Sequence, residues 1–168
     1  VECLLQCLQN QARLARLQQG TEHLAHVLLA NRADGKVYAQ QSGALTHINT
    51  QSAVGTGPCH ISVDHTGCHV LVANYGGGSV AVLPINADGS LGAASDFVQH
   101  QGSSIDPKRQ QEPHAHSIFV TPNNQHAFAP DLGLDKIKVY AIDHQSGKLS
   151  EQTPGKVEPG SGPRHLDF

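Results

Sequence analysis

The sequence predicts an all-β fold made of β-propeller blades, each of four antiparallel strands. Three observations carry this. An apolar run opening on His recurs as His26-Val-Leu-Leu-Ala-Asn31, His69-Val-Leu-Val-Ala-Asn74 and His126-Ala-Phe-Ala-Pro-Asp131, at offsets of 43 and 57 residues. Each is followed by a second β-rich run (Val37–Ala39, Val80–Val82, Ile137–Tyr140). A turn then follows with Gly at its third place: Gln41-Ser-Gly, Ala87-Asp-Gly, Gln145-Ser-Gly. Gly there supplies the positive φ of a tight hairpin. A Pro-x-His element stands ahead of the later runs, as Gly57-Pro-Cys-His, Glu112-Pro-His-Ala-His and Gly162-Pro-Arg-His. Four short strands recurring every 40–50 residues or so are the mark of a propeller blade.

The elements follow in order. Within residues 1–20, Leu4, Leu8, Ala12 and Ala15 share one helical face and Gly20 is a stop, which predicts an amphipathic helix. The other reading of this segment, a divergent or mistranslated stretch standing where a first strand belongs, stays open. Residues 22–56 read as a blade lacking its first strand. Residues 57–100 and 113–160 each read as a complete blade, and 162–168 as the first strand of a further one. In each unit the Pro-x-His element begins the first strand, the His run is the second, and the strands on either side of the Gly turn are the third and fourth.

Composition narrows the function. The 168 residues are enough for one domain with a modest core. A net charge of −3, with the basic residues scattered, gives no footprint for nucleic acid. No apolar run reaches membrane-span length, and the start lacks a signal-peptide pattern. The four cysteines form no CxxC pair, so a reducing, cytoplasmic setting is expected. The chain has no Met and begins at Val1, so a piece of a longer chain or a processed product is also expected.

In a propeller the first strand of each blade lies nearest the central channel. By the repeat, Cys59, His116 and Arg164 hold equivalent places on three inner strands. His114 and His116, two residues apart, face the same way if the chain is extended there. Fourth-to-first connections emerge on the same face as second-to-third connections. The segment 101–112, with Lys108 and Arg109, therefore meets Asn74, Tyr75 and Asp131 at one mouth, and these are the expected substrate-binding residues. Gly76-Gly77-Gly78 is not followed by Lys-Ser/Thr or a helix start, so it is a tight connection and not a phosphate loop.

Gly57-Pro-Cys-His-Ile-Ser-Val-Asp64, Val72-Ala-Asn-Tyr-Gly-Gly-Gly-Ser-Val80, Pro113-His-Ala-His-Ser117, Asp131-Leu-Gly-Leu-Asp135 and Gly162-Pro-Arg-His165 closely resemble the seven-bladed lactonase family. That family includes propeller-type 6-phosphogluconolactonases and a fungal carboxy-muconate cyclase. The resemblance implies about three blades of seven, hydrolysis of a sugar-phosphate lactone in the pentose phosphate pathway, and no cofactor or metal dependence. It matches the histidine and first arginine of the cyclase's active site to His116 and Arg164. The cyclase's glutamate and second arginine would fall beyond Phe168, so an incomplete site is expected in this chain.

The chemistry suits those residues. A neutral imidazole at His116 can take the proton of an attacking water. Arg164 can hold the oxyanion or a carboxylate with two forked donors. His114 would orient substrate or water, and Lys108 and Arg109 would bind phosphate. The plainer readings are a strand-end cap for His116, an ion pair for Arg164, and solvated loop side chains for the rest. His60 and His165 read as buried, hydrogen-bonded core histidines, and Cys59 as a small packing residue. Zinc on His114 and His116, with His60 or His165 as third ligand, is a weaker reading. Two rival functions remain: a cycloisomerase of the same fold, and a non-catalytic propeller surface.

Overall fold

The computed structural model describes residues 47–168 in full and, before them, the backbone of strands only. The turn expected at 42–45 and the Gly20 stop lie outside the described residues. Among the described residues, thirteen strands form three antiparallel sheets in chain order. The first contains β1 (Leu4–Leu8), β2 (Ala12–Leu17), β3 (His26–Asn31), β4 (Lys36–Gln41) and β5 (Thr46–Ser52). The second contains β6 (Pro58–Val63), β7 (His69–Asn74), β8 (Ser79–Pro84) and β9 (Asp96–Gln99). The third contains β10 (Phe119–Val120), β11 (His126–Asp131), β12 (Lys136–Asp143) and β13 (Lys148–Lys156).

Two expectations are corrected. The helix expected over 1–20 is replaced by strands β1 and β2, with β2 paired along β3 from Ala12↔Asn31 to Leu17↔His26. A first strand completes the ladder of the sheet, and an unpaired β3 edge would leave its backbone groups unsatisfied. At the other end, residues 162–168 form no strand. An inner strand forms by pairing with the second strand of its own blade, and residues 162–168 pair with no described strand.

The second sheet shows why these sequences make blades. β7 and β8 are nearly continuous apolar runs because both of their faces are covered. Val70, Val72, Ala81 and Leu83 turn one way, into a core with Ile61, Val63, Ala53 and Leu91. Leu71, Ala73, Val80 and Val82 turn the other way, into a core with Ile118 and with Ala127, Ala129 and Tyr140 of the third sheet. The two-residue period thus splits one strand between two cores. The predicted turn glycines Gly89 and Gly147 have φ of 81° and 67°.

The triple glycine is a packing device. A Cβ on Gly78 would lie 2.3 Å from the Pro113 carbonyl oxygen, and one on Gly76 3.1 Å from that of Thr56. The β7–β8 connection is thereby wedged between the linkers that enter its own blade and the next.

Candidate active site

The Pro-x-His segments of successive units are hydrogen-bonded to one another. The Cys59 thiol donates to the His116 carbonyl at 3.2 Å, and Ile118 N–H to His60 Nδ1 at 3.3 Å. The Ser117 hydroxyl donates to the Arg164 carbonyl at 2.6 Å. Positions 59, 116 and 164 therefore stand side by side. Around an isolated bridge, Ala115↔Asp131, His116 N–H donates to Pro130 O and Leu132 N–H to His114 O, both at 3.0 Å. That short extended stretch turns both histidines to one side. The His114 ring stacks on Tyr75 at 4.6 Å, and the His116 ring meets Tyr75 edge-on at 5.6 Å. His114 Nδ1 lies 3.0 Å from Tyr75 O, a carbonyl that only accepts. Nδ1 therefore carries the hydrogen, and a neutral ring keeps its lone pair on Nε2. Both histidines are half-buried.

A cleft of about 480 Å³ opens next to this row, lined by Asp106, Arg109, Gln110, Leu132, Arg164, His165 and the turn at 160–163. The ring of His165 sits 4.9 Å from that of His116 and connects row to cleft. Arg109 and Arg164 thus come together from two separate connections. Lys108 is exposed and does not line the cleft. His165 is exposed too, where a buried histidine is expected, because residues 162–168 join no sheet that could cover it. His60 is buried, with its ring 4.6 Å from Phe119. The ligand atoms that converge in threes among the described residues belong to Asp64, His69 and His144, not to this histidine row.

Asp135 pins the cleft walls. Its φ is 51° and its carboxylate is buried. One oxygen accepts from Gln110 Nε2 and Gly162 N–H, each at 2.7 Å. The other accepts from Ser104 Oγ at 2.5 Å and Gly160 N–H at 2.6 Å. Burial pushes this carboxyl up, but donors from Ser104, Gly160, Gly162 and Gln110 outweigh it and hold the group below its ordinary value. One side chain thereby ties the loop bearing Arg109 to the segment bearing Arg164.

Asn74 and Asp131, expected to touch substrate, are fully buried beneath the mouth. Asn74 Nδ2 donates to Ala53 O and Ser79 Oγ, both at 3.2 Å. Asp131 Oδ1 accepts backbone N–H groups of His114 at 2.8 Å, Gly133 at 2.9 Å and Leu134 at 3.2 Å. Its Oδ2 meets His100 Nδ1 at 2.6 Å, and His100 Nε2 meets the Tyr140 hydroxyl at 2.7 Å. Burial, with the nearby charges of Glu151 and Asp131, pushes the Tyr140 phenol up, so it stays protonated and donates. This sealed chain positions His114 from below. No sequence pattern marked His100 or Tyr140, which lie 31 and 40 residues from their partners. Asp135 carried a weak one, as an acid at the end of a repeated loop.

Repeated antiparallel blades with a polar mouth between their connections define a β-propeller. The family described as "Lactonase, 7-bladed beta-propeller" matches residues 14–168, and the chain belongs to it. A 6-phosphogluconolactonase of Bacillus subtilis is 41% identical over 143 residues, 82% of this chain and 40% of that protein. The chain thus spans about two-fifths of the length of that relative. Among solved structures, a Lactobacillus plantarum protein is 31% identical with a TM-score of 0.78, covering 96% of this chain and 53% of that one. The periplasmic gluconolactonase of Pseudomonas aeruginosa is 32% identical with a TM-score of 0.74, covering 94% and 45%. No helix among the described residues is long and apolar enough to cross a membrane.

Proposed function

We propose that this mouth belongs to a hydrolase that opens a sugar-phosphate lactone, 6-phosphogluconolactone, to its acid. The observation that carries the reading is that two arginines, Arg109 and Arg164, line one cleft with His165, whose ring lies 4.9 Å from that of His116. A cleft of this size suits one small ligand, since such sites run from roughly 300 to 1,000 Å³. Always-charged, forked donors suit a phosphate and a developing oxyanion. Water attacks the lactone carbonyl carbon while His116 takes its proton. The ring C–O bond then breaks, and the proton passes to the departing alkoxide, leaving a hydroxyl and a carboxylic acid that ionises. Arg164 holds the oxyanion, Arg109 the phosphate, and His114 Nε2 accepts a hydrogen bond that orients the substrate.

The names of the similar lactonases support this substrate class, and a role in the pentose phosphate pathway and a cytoplasmic setting are part of the same proposal. The test is loss of 6-phosphogluconolactone, read by coupled oxidation of the released acid and corrected for spontaneous hydrolysis. It is run on this chain and on a seven-bladed protein that carries it. Turnover in the ring that falls with Arg109→Ala and Arg164→Ala supports the reading. No turnover, with lactonisation of a carboxy-muconate instead, would replace it with the cycloisomerase.

A further inference from the structure

A second cluster lies at the opposite end of the blades. Asp64 and His69 flank the β6–β7 connection, and His144 begins the β12–β13 connection. In an antiparallel four-stranded sheet these first-to-second and third-to-fourth connections emerge on the face away from the cleft. Asp64 is buried, its Oδ1 accepting the backbone N–H groups of Cys68 and His69, each at 2.9 Å. Its Oδ2 accepts from the Thr66 hydroxyl. Burial pushes the carboxyl up, but the Thr66 hydroxyl and the two N–H groups help hold it below its ordinary value, so it is an anion near neutral pH.

His144 bridges two acceptors. Its Nε2 is 2.5 Å from Asn124 O, and its Nδ1 is 3.1 Å from Asp64 Oδ2. The carbonyl only accepts, so Nε2 carries a hydrogen. A neutral ring would then aim the Nδ1 lone pair at a carboxylate oxygen, which is repulsive. A positive centre between them relieves this, either a proton on Nδ1 or a metal cation. His69 favours the metal. Its Nδ1 is buried, has no hydrogen-bond partner, and sits 3.8 Å from the same Oδ2, too far for a hydrogen bond. A proton on His144 does nothing for that nitrogen, whereas a cation engages all three atoms. These ligand atoms lie within 4.8 Å of one another. Zinc bonds of about 2.0–2.2 Å place tetrahedral ligand atoms roughly 3.3–3.6 Å apart, so binding draws these side chains in by up to about 1 Å.

The geometry points to a divalent transition-metal site, of zinc type, formed by His69 Nδ1, His144 Nδ1 and Asp64 Oδ2, joining the second sheet to the third. Two imidazoles and one carboxylate are a zinc-type donor set. The surrounding contacts fit as well. Asn124 O fixes the tautomer of His144 with Nδ1 free to ligate, and the N–H groups of Cys68 and His69 orient Asp64. His144 is 31% exposed, which gives the ion an entry path and room for a water as fourth ligand.

The test uses the 168-residue chain, stripped of metal with a chelator and dialysed. Zinc is titrated by calorimetry, and cobalt(II) by its visible absorption. The proposal expects one equivalent bound, a rise in the unfolding midpoint, and loss of stoichiometric binding in His144→Ala and in His69→Asn. His114→Ala with His165→Ala, on the other face, should leave binding intact. Ring-nitrogen shifts of His69 and His144 in the unmutated chain, recorded with and without zinc, read the same site if a variant unfolds. Binding that survives in the His69→Asn, His144→Ala double variant overturns the proposal. So does a His144 ring that stays doubly protonated at saturating zinc, since a proton then occupies the bridge.

Discussion

At the scale of the residue, the groups proposed to react can be tested apart from those that hold the cleft together. His116→Ala removes the proposed base, and turnover should fall by about 10²–10⁴-fold. Arg164→Lys keeps the charge but loses the fork, so it should be poorly tolerated in the same lactone assay. Asp135 is a holder, and its effect is readable by pH. Its folded pKa lies below the ordinary 3.8, so the unfolded chain binds the proton more readily. The stabilisation is therefore complete above about pH 4 and is lost as pH falls through the lower folded value. Urea midpoints of the chain should drop steeply below pH 4, and the drop should be shallower in Asp135→Asn; equal slopes would deny Asp135 this role. The sequence exposed His114, His116, Arg109 and Arg164 because each sits in a repeated or clustered pattern. It misjudged Asn74 and Asp131, because a polar residue at a loop looks alike whether it faces the ligand or braces the loop from beneath.

At the scale of the element, period and punctuation made the blades readable. A His-led apolar run and a Gly turn recur because each blade repeats one hydrogen-bonding scheme. The extra strands before residue 18 were not legible, since Leu4, Leu8, Ala12 and Ala15 also fit a helical face and pairing with β3 decided the matter. β10 is only two residues long, and the bridge at Ala115 continues its ladder, which leaves His114 and His116 beside an irregular stretch where the mouth needs them. Energetically, Leu71 is fully buried in the core between the second and third sheets. Leu71→Ala should cost about 2–5 kcal/mol in urea unfolding. Gln99→Ala, at an exposed edge position, removes the Nε2 hydrogen bonds to Gly77 O at 2.7 Å and Gly78 O at 3.0 Å, and should cost about 0.5–1.5 kcal/mol.

At the scale of the whole molecule, stability is a chain of sheet-to-sheet layers. Phe128 and Val139 pair across β11 and β12 on the face away from the core shared with the second sheet, and both remain half-exposed. Phe168 rests 5.5 Å from Phe128 and is itself 57% exposed. Such a face is covered by a following blade in a ring, so this chain by itself should associate as its concentration rises, read by sedimentation velocity. A monodisperse monomer across the range would contradict that. The division of β7 between two cores carries a further consequence, for how such a protein can change length. One added residue within 70–73 would exchange Val70 and Val72 with Leu71 and Ala73, misfitting two layers at once, and no neighbouring shift repairs both. The exposed residues 101–103 carry no such parity, so lineages of this fold are free to lengthen there and are held to the letter in the strand.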